Sequence, residues 1–216
     1  MQYFCAMTSG EVLKIFKETG AILTDSHIVY TSGKHGSAYV NKDAVYPHTA
    51  KISRLCLSLA EKFQKVPIDL VIAPVVGGVI LSQWVASHLS NLLRRQIFAV
   101  YAEKEGEGFV IKRGYAGLVQ GKNVWVVEDI LNTGGSVRKV VEAVRTIGGK
   151  VVGVGALVNR GRISAAALGE VPRLETLLEI DLEAWEAKDC PLCARKVPIN
   201  TEVGKGRDYL KSKKAG

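Results

Sequence analysis

The sequence predicts an α/β fold with a central, mainly parallel sheet flanked by helices, and three observations carry that reading. Runs of nearly continuous Val and Ile (Asp69–Ala73, Asn123–Val127, Lys150–Val158) alternate with helical patterns such as Val79–Leu93 and Ser136–Ile147. The runs are apolar at almost every position rather than every second one, which suits strands covered on both faces. Glycine pairs, Gly77-Gly78 and Gly134-Gly135, mark the turns from strand to helix.

The remaining elements follow in order. Thr8 and Glu11 have capping-box spacing, and Val12, Ile15, Phe16 and Thr19 recur at helical intervals until Gly20, predicting a helix over 8–19. His27–Thr31 and Ser37–Asn41 are β-favouring runs flanking Ser32-Gly33-Lys34-His35-Gly36, which predicts a hairpin with a mobile, basic turn. Between Thr49 and Gln64, Ile52, Leu55, Cys56, Leu59 and Phe63 form one helical stripe that faces the core. Glu103–Gly121 is rich in charge and glycine without steady periodicity, and reads as a long surface loop or flexible hairpin. The basic stretch from Lys205 onward is expected to fray.

A chain of 216 residues, 47% hydrophobic and 23% charged, has the size and composition of a single globular domain, which excludes fibres and disordered tails. The net charge of +8 favours an anionic partner without choosing among nucleic acid, phosphate metabolite and membrane surface. No run approaches the ~18 apolar residues of a membrane span, and Met1–Gly10 lacks a leader pattern, so a cytoplasmic protein is expected. Cys5, Cys56, Cys190 and Cys193 are too scattered for a disulfide framework, and reduced thiols are the expectation.

The most informative segment is Val124–Ser136, reading Val-Trp-Val-Val-Glu-Asp-Ile-Leu-Asn-Thr-Gly-Gly-Ser. A buried strand ends in two adjacent carboxylates, and the following loop offers two glycines, two hydroxyls and a helix start. Glycines let backbone approach an anion, Thr133 and Ser136 add donors, and the helix N-terminus favours phosphate. The segment lacks the Gly-Lys-Ser/Thr ending of a P-loop and the three spaced glycines of a dinucleotide fingerprint. An ordinary strand-to-helix turn capped by Thr133 explains the glycines but not the acidic pair. Glu128 and Asp129, at a strand's carboxyl end, suit the vicinal hydroxyls of a ribose whose 5-phosphate sits in the loop.

This stretch resembles the signature of the type I phosphoribosyltransferases at all thirteen positions, with Asn132 where Thr or Ala is usual. Further segments are similar to the orotate phosphoribosyltransferases among them. Ile28–Asn41 resembles their N-terminal hood, here about residues 20–45, and Ala73–Val79 their pyrophosphate loop. Glu103–Gly114 is placed like their flexible catalytic loop, here about 103–116. Val158-Asn159-Arg160 ends a strand where they carry an orotate-binding arginine, and Cys190-Pro191-Leu192-Cys193 with Pro198 is similar to the tail of a bacterial and archaeal branch. The resemblance covers about residues 8–200 and implies the type I phosphoribosyltransferase fold with a small hood.

The resemblance implies that orotate N1 attacks C1 of 5-phospho-α-D-ribose 1-diphosphate (PRPP) with inversion, giving orotidine 5-monophosphate and pyrophosphate in pyrimidine biosynthesis. PRPP is then expected on Val76, Gly77, Gly78, Glu128, Asp129, Ile130, Leu131, Asn132, Thr133, Gly134, Gly135 and Ser136, and orotate on Tyr39, Val40, Asn132 and Arg160. Lys104, Lys112, Arg113 and Asp129 are the expected catalytic groups. Mg²⁺ is expected to be held mainly by substrate oxygens, with no protein metal cage. A homodimer is expected, and no nucleic-acid or membrane partner. Two departures stand out: the loop has Glu103-Lys104-Glu105 and then Lys112-Arg113 where relatives often carry Arg-Lys-Glu and Lys-x-His, and Asn132 replaces a base-contacting residue. A phosphoribosyltransferase for a purine or other base, or a regulator of the same fold that senses PRPP, are the competing readings.

The other signals are weaker. Cys190-x-x-Cys193 is half of a zinc-ribbon pattern, with no second pair or nearby histidine following it, so plain thiols are favoured. His27, His35, His48 and His88 share no helical ligand spacing; His88 reads as packing, and His35 as a phosphate contact in the basic turn. Trp84, Trp125 and Trp185 read as core or interface residues.

Overall fold

The structure is a computed structural model and describes residues 7–214; the expectations on Cys5 and on most of Met1–Gly10 lie outside the described residues. In chain order the elements are α1 (Ser9–Glu18), β1 (Ile22–Leu23), β2 (Ile28–Val29), β3 (His35–Gly36), β4 (Tyr39–Val40), α2 (Thr49–Phe63), β5 (Leu70–Pro74) and α3 (Gly77–Leu93). There follow β6 (Phe98–Glu105), β7 (Gly108–Val110), α4 (Ala116–Val119), β8 (Asn123–Leu131), α5 (Gly135–Thr146), β9 (Lys150–Asn159), β10 (Leu174–Glu179), α6 (Pro191–Ala194) and α7 (Gly206–Lys214). The chain divides into two compact units, one of Met1–Leu13 with Tyr46–Ile180, the other of Lys14–Val45 with Asp181–Gly216.

The first unit carries a six-stranded sheet in the order β10-β9-β8-β5-β6-β7, parallel except for the antiparallel β7. Its central strands are apolar over most of their length because helices cover both faces. Val124, Val126 and Val154 join Val137, Val140, Val141 and Val144 of α5 in one buried cluster. Trp125, between the two valines, points to the other face and stacks on Phe63 of α2 at 4.1 Å and 27°. The glycines of β9 make room for that pair: a Cβ at Gly153 would lie 2.6 Å from the Phe63 ring, and one at Gly155 2.5 Å from Trp125. The expected stripe of α2 is fully buried, and the capping box at α1 forms, with Thr8 N–H donating to Glu11 at 2.9 Å and Glu11 N–H to Thr8 Oγ1 at 3.3 Å. No helix among the described residues is long and apolar enough to cross a membrane.

Two strands carried no clear sequence signal. Leu174-Glu-Thr-Leu-Leu-Glu179 has the composition of a helix, yet it pairs with β9 as β10, tertiary pairing overriding local propensity. Phe98–Glu105 runs from apolar into charged residues because β6 leaves the sheet and turns at Gly106 into β7, so within 103–121 a hairpin forms over 103–110 and the short helix α4 follows at Ala116–Val119.

The second unit holds two short antiparallel pairs. The expected hairpin register is corrected here: Ser37–Asn41 does not pair with His27–Thr31. Tyr39 and Val40 pair with β1, while His35 and Gly36, read as turn residues, form β3 opposite β2. The cause is Tyr30, whose ring crosses Gly36 so closely that a Cβ there would lie 2.2 Å from its hydroxyl, which donates to Ala38 O at 2.7 Å. The turn therefore tightens to Tyr30–Lys34, closed by a 2.8 Å bond from Tyr30 N–H to Lys34 O. The basic stretch expected to fray is instead the helix α7, preceded by Lys205 N–H bonded to Val29 O at 2.7 Å.

Candidate active site

The strand order reverses between β5 and β8: from β5 the sheet extends through β6 on one side and through β8 and β9 on the other. Such a switch point opens a crevice at the carboxyl ends of the strands. Pairing between β5 and β8 stops at Ile72↔Val126, so the chains part before Pro74 and Glu128. The two loops that follow, Val75–Gly78 and Asn132–Ser136, both lead into helices whose first-turn N–H groups have no intrahelical acceptor.

Asp129 is 3% exposed and fully engaged: Tyr46 Oη donates to its Oδ2 at 3.0 Å, and Ile130 N–H to its Oδ1 at 2.8 Å. Glu128 is half-buried and accepts from Asp129 N–H at 3.0 Å. Burial and the neighbouring Asp129 carboxylate push the Tyr46 phenol far above the usual tyrosine range, so it stays a donor. Tyr46 is 83 positions from Asp129 and carried no sequence signal.

Beyond Asp129, half-buried Ile130 and buried Leu131 finish β8, and Asn132, Thr133 and Ser136 are exposed. Gly134 has φ +73°, and a Cβ there would meet Leu168 at 2.7 Å and Ile163 at 3.1 Å, so the turn between strand and helix accepts only glycine without distortion. Gly135 N–H reaches back to Thr133 Oγ1 at 3.4 Å. The segment after β9 braces this loop. Arg160 N–H donates to Leu131 O at 2.8 Å, and Gly161 lies so close that a Cβ would overlap Asn132 O at 1.7 Å. Buried Asn159 pins the same segment through its side chain, accepting from Ile163 N–H at 2.9 Å and donating to Ile163 O at 3.0 Å. Asn159 and Gly161 were missed as supports, although a polar residue ending an apolar strand was a visible signal.

In the other loop, Val76 is 84% exposed and Gly77 opens α3, while Gly78 abuts Ala73, where a Cβ would sit 2.6 Å from the alanine methyl. Lys104 is exposed at the base of the β6–β7 hairpin. Lys112 and Arg113 are occupied: Lys112 Nζ meets Glu105 at 2.5 Å and Arg113 Nε meets Glu103 at 2.6 Å. Those contacts hold both cations above their usual pKa ranges. Tyr39 and Val40 belong to the second unit, as β4. Asp129, Glu128, the two glycine loops and Arg160 are thus gathered at one end of one sheet.

The chain matches the phosphoribosyl transferase domain over residues 42–172. It is 38% identical to an orotate phosphoribosyltransferase of Desulforamulus reducens over 192 residues, 89% of this chain and 95% of that protein. It is 39% identical, over the same shares, to one of Pelotomaculum thermopropionicum. Among solved structures it resembles a Mycobacterium tuberculosis orotate phosphoribosyltransferase crystallised with Fe(III) dicitrate, at TM-score 0.63 and 21% identity over 79% of this chain and 97% of that one. Six-stranded sheet, hood strands and glycine loops accord with the type I phosphoribosyltransferase fold. With carboxylate pair, glycine loop and curated relatives in agreement, the chain belongs to the orotate phosphoribosyltransferase family.

Proposed function

We propose that the chain transfers the 5-phosphoribosyl group of PRPP to N1 of orotate, releasing pyrophosphate and forming orotidine 5-monophosphate. The observation that carries this reading is the buried Asp129 carboxylate, oriented by Tyr46, directly before an open Thr133–Ser136 loop at the switch point. The names of the relatives support orotate as the base.

In this reading the 5-phosphate lies on the first-turn N–H groups of α5 with the Thr133 and Ser136 hydroxyls, and Glu128 and Asp129 accept from the ribose hydroxyls. Breaking the C1–O bond leaves positive charge on the ring, and fixed carboxylates stabilise it more than mobile water does. Pyrophosphate departs toward Val76, Gly77 and Gly78, with Lys104 beside it. Lys112 and Arg113 exchange Glu105 and Glu103 for the leaving group as the hairpin closes. Arg160 offers a planar fork for the orotate carboxylate, with Asn132 contacting the base.

The donor set suits Mg²⁺ carried by the substrate. Both Asp129 oxygens and one of Glu128 are engaged within the protein, which favours a cation bound mainly to substrate oxygens near these carboxylates. When bound, Mg²⁺ supplies neutralisation of the pyrophosphate charge. A homodimer belongs to the same reading, as the family resemblance implies.

A base panel with PRPP and Mg²⁺ tests the reading: orotate is consumed and EDTA stops its consumption. Turnover of a purine in place of orotate, or PRPP binding without turnover of any base, contradicts it.

A further inference from the structure

The half zinc-ribbon pattern is completed by residues from the opposite end of the chain. Cys190 lies 163 positions from His27, yet His27, His35, Cys190 and Cys193 meet in the second unit with their ligand atoms all within 4.8 Å of one another. This corrects the expectation that no histidine accompanies the cysteines and that His35 faces phosphate. His27, His35 and Cys190 are buried, at 1%, 0% and 2% exposure.

Backbone pairing on both sides of the Cys-x-x-Cys segment creates the juxtaposition. His35 exchanges two 2.8 Å bonds with Trp185, ahead of the cysteines, and Asn200 N–H donates to His27 O at 2.8 Å, behind them. Between these clamps, Pro191 starts the single turn of α6 that brings Cys190 and Cys193 to one side.

We propose that these four residues form a structural site for a thiophilic divalent cation, zinc being the best match, through His27 Nε2, His35 Nδ1 and the two Sγ atoms. His27 Nδ1 lies 2.8 Å from Val197 O, and a carbonyl only accepts, so Nδ1 carries the proton and Nε2 presents its lone pair to the cluster. A backbone acceptor behind a ligating imidazole is the usual outer support of such sites. The contacts of Cys190 with His27 at 3.6 Å, and of Cys193 with His27 at 3.7 Å and His35 at 3.4 Å, have the length of tetrahedral N···S edges. Zn–N and Zn–S bonds of about 2.05 and 2.3 Å give edges of about 3.6 Å. The two ring nitrogens are 2.8 Å apart and separate by about 0.5 Å to reach the corresponding N···N edge.

The role fits the unit. Its strand pairs are two residues long, and a unit so small gains most from a cross-link that its core cannot replace. Such an ion clips the Asp181–Gly216 segment to the Lys14–Val45 segment without touching substrate.

Metal analysis of the untagged full chain, purified without chelator, is the test. About one zinc per chain is expected, together with tetrahedral cobalt absorption carrying thiolate charge-transfer bands after exchange. The Cys190→Ser/Cys193→Ser variant is expected to lose the metal. Should that variant fail to fold, thiol titration of the unaltered chain serves: Cys190 and Cys193 are expected to be protected until a strong chelator is added, and the thermal midpoint to fall with it. A folded, unaltered chain that holds neither zinc nor cobalt overturns the proposal. So does metal retained by the double variant, or a Cys190–Cys193 disulfide in the zinc-supplemented protein. None of these outcomes depends on orotate turnover.

Discussion

Tyr46 and Asp129 form the contact on which the proposed ribose site depends, because a carboxylate this enclosed keeps its direction only while its hydrogen bonds last. Tyr46→Phe removes one bond to a charged group, a loss of about 1.5–3 kcal/mol, so kcat/KM for PRPP is expected to fall at least tenfold in steady-state assays. The same phenol makes stability pH-dependent. Its folded pKa is raised above the unfolded value, as is that of the buried Cys56 thiol, so the folded state binds more protons under alkaline conditions. The stability these groups contribute is present below their unfolded pKa values, about 8.5 and 10, and declines as pH rises beyond them. Urea unfolding between pH 8 and 11 is expected to show this decline, and Tyr46→Phe to flatten its upper part. Asp129 was legible in the sequence because its neighbours share its strand and loop. Tyr46 was not, because only the packed chain brings it there.

At the scale of elements, the β6–β7 hairpin, which the proposed mechanism moves, and the loop opening α5, which it holds fixed, make contrasting demands. Lys112 and Arg113 form exposed pairs with Glu105 and Glu103, and exposed pairs add little stability. The Lys112→Ala/Arg113→Ala variant is therefore expected to keep its thermal midpoint while its kcat drops more than tenfold. A lowered midpoint with unchanged kcat would instead mark the pairs as structural. Gly134 is the opposite case: Gly134→Ala meets both a left-handed backbone and the Leu168 side chain, and a destabilisation of about 1–3 kcal/mol is expected in denaturant titrations. The strand-to-helix rhythm made β5, β8, β9 and their helices readable, since burial on both faces writes continuous apolar runs. β10 and the hood register were unreadable for a physical reason: pairing with β9 and the Tyr30 ring over Gly36 decide them, and both are tertiary contacts.

For the molecule as a whole, the proposed reaction lies at the switch point of the sheet, and the same proposal includes a homodimer. Light scattering is expected to give twice the chain mass of 23.4 kDa. Residues distant in sequence recur at each important place, Tyr46 with Asp129 and the two histidines with the two cysteines, so local motifs identified half of each constellation and folding supplied the rest. The most direct measurement compares orotate consumption by the unaltered chain and by Asp129→Asn with saturating PRPP and Mg²⁺. Removing the charge while keeping the shape is expected to lower the rate by about 100-fold or more, the scale of losing one preorganised charge-stabilising group. An Asp129→Asn chain that consumes orotate at the unaltered rate would contradict the central claim.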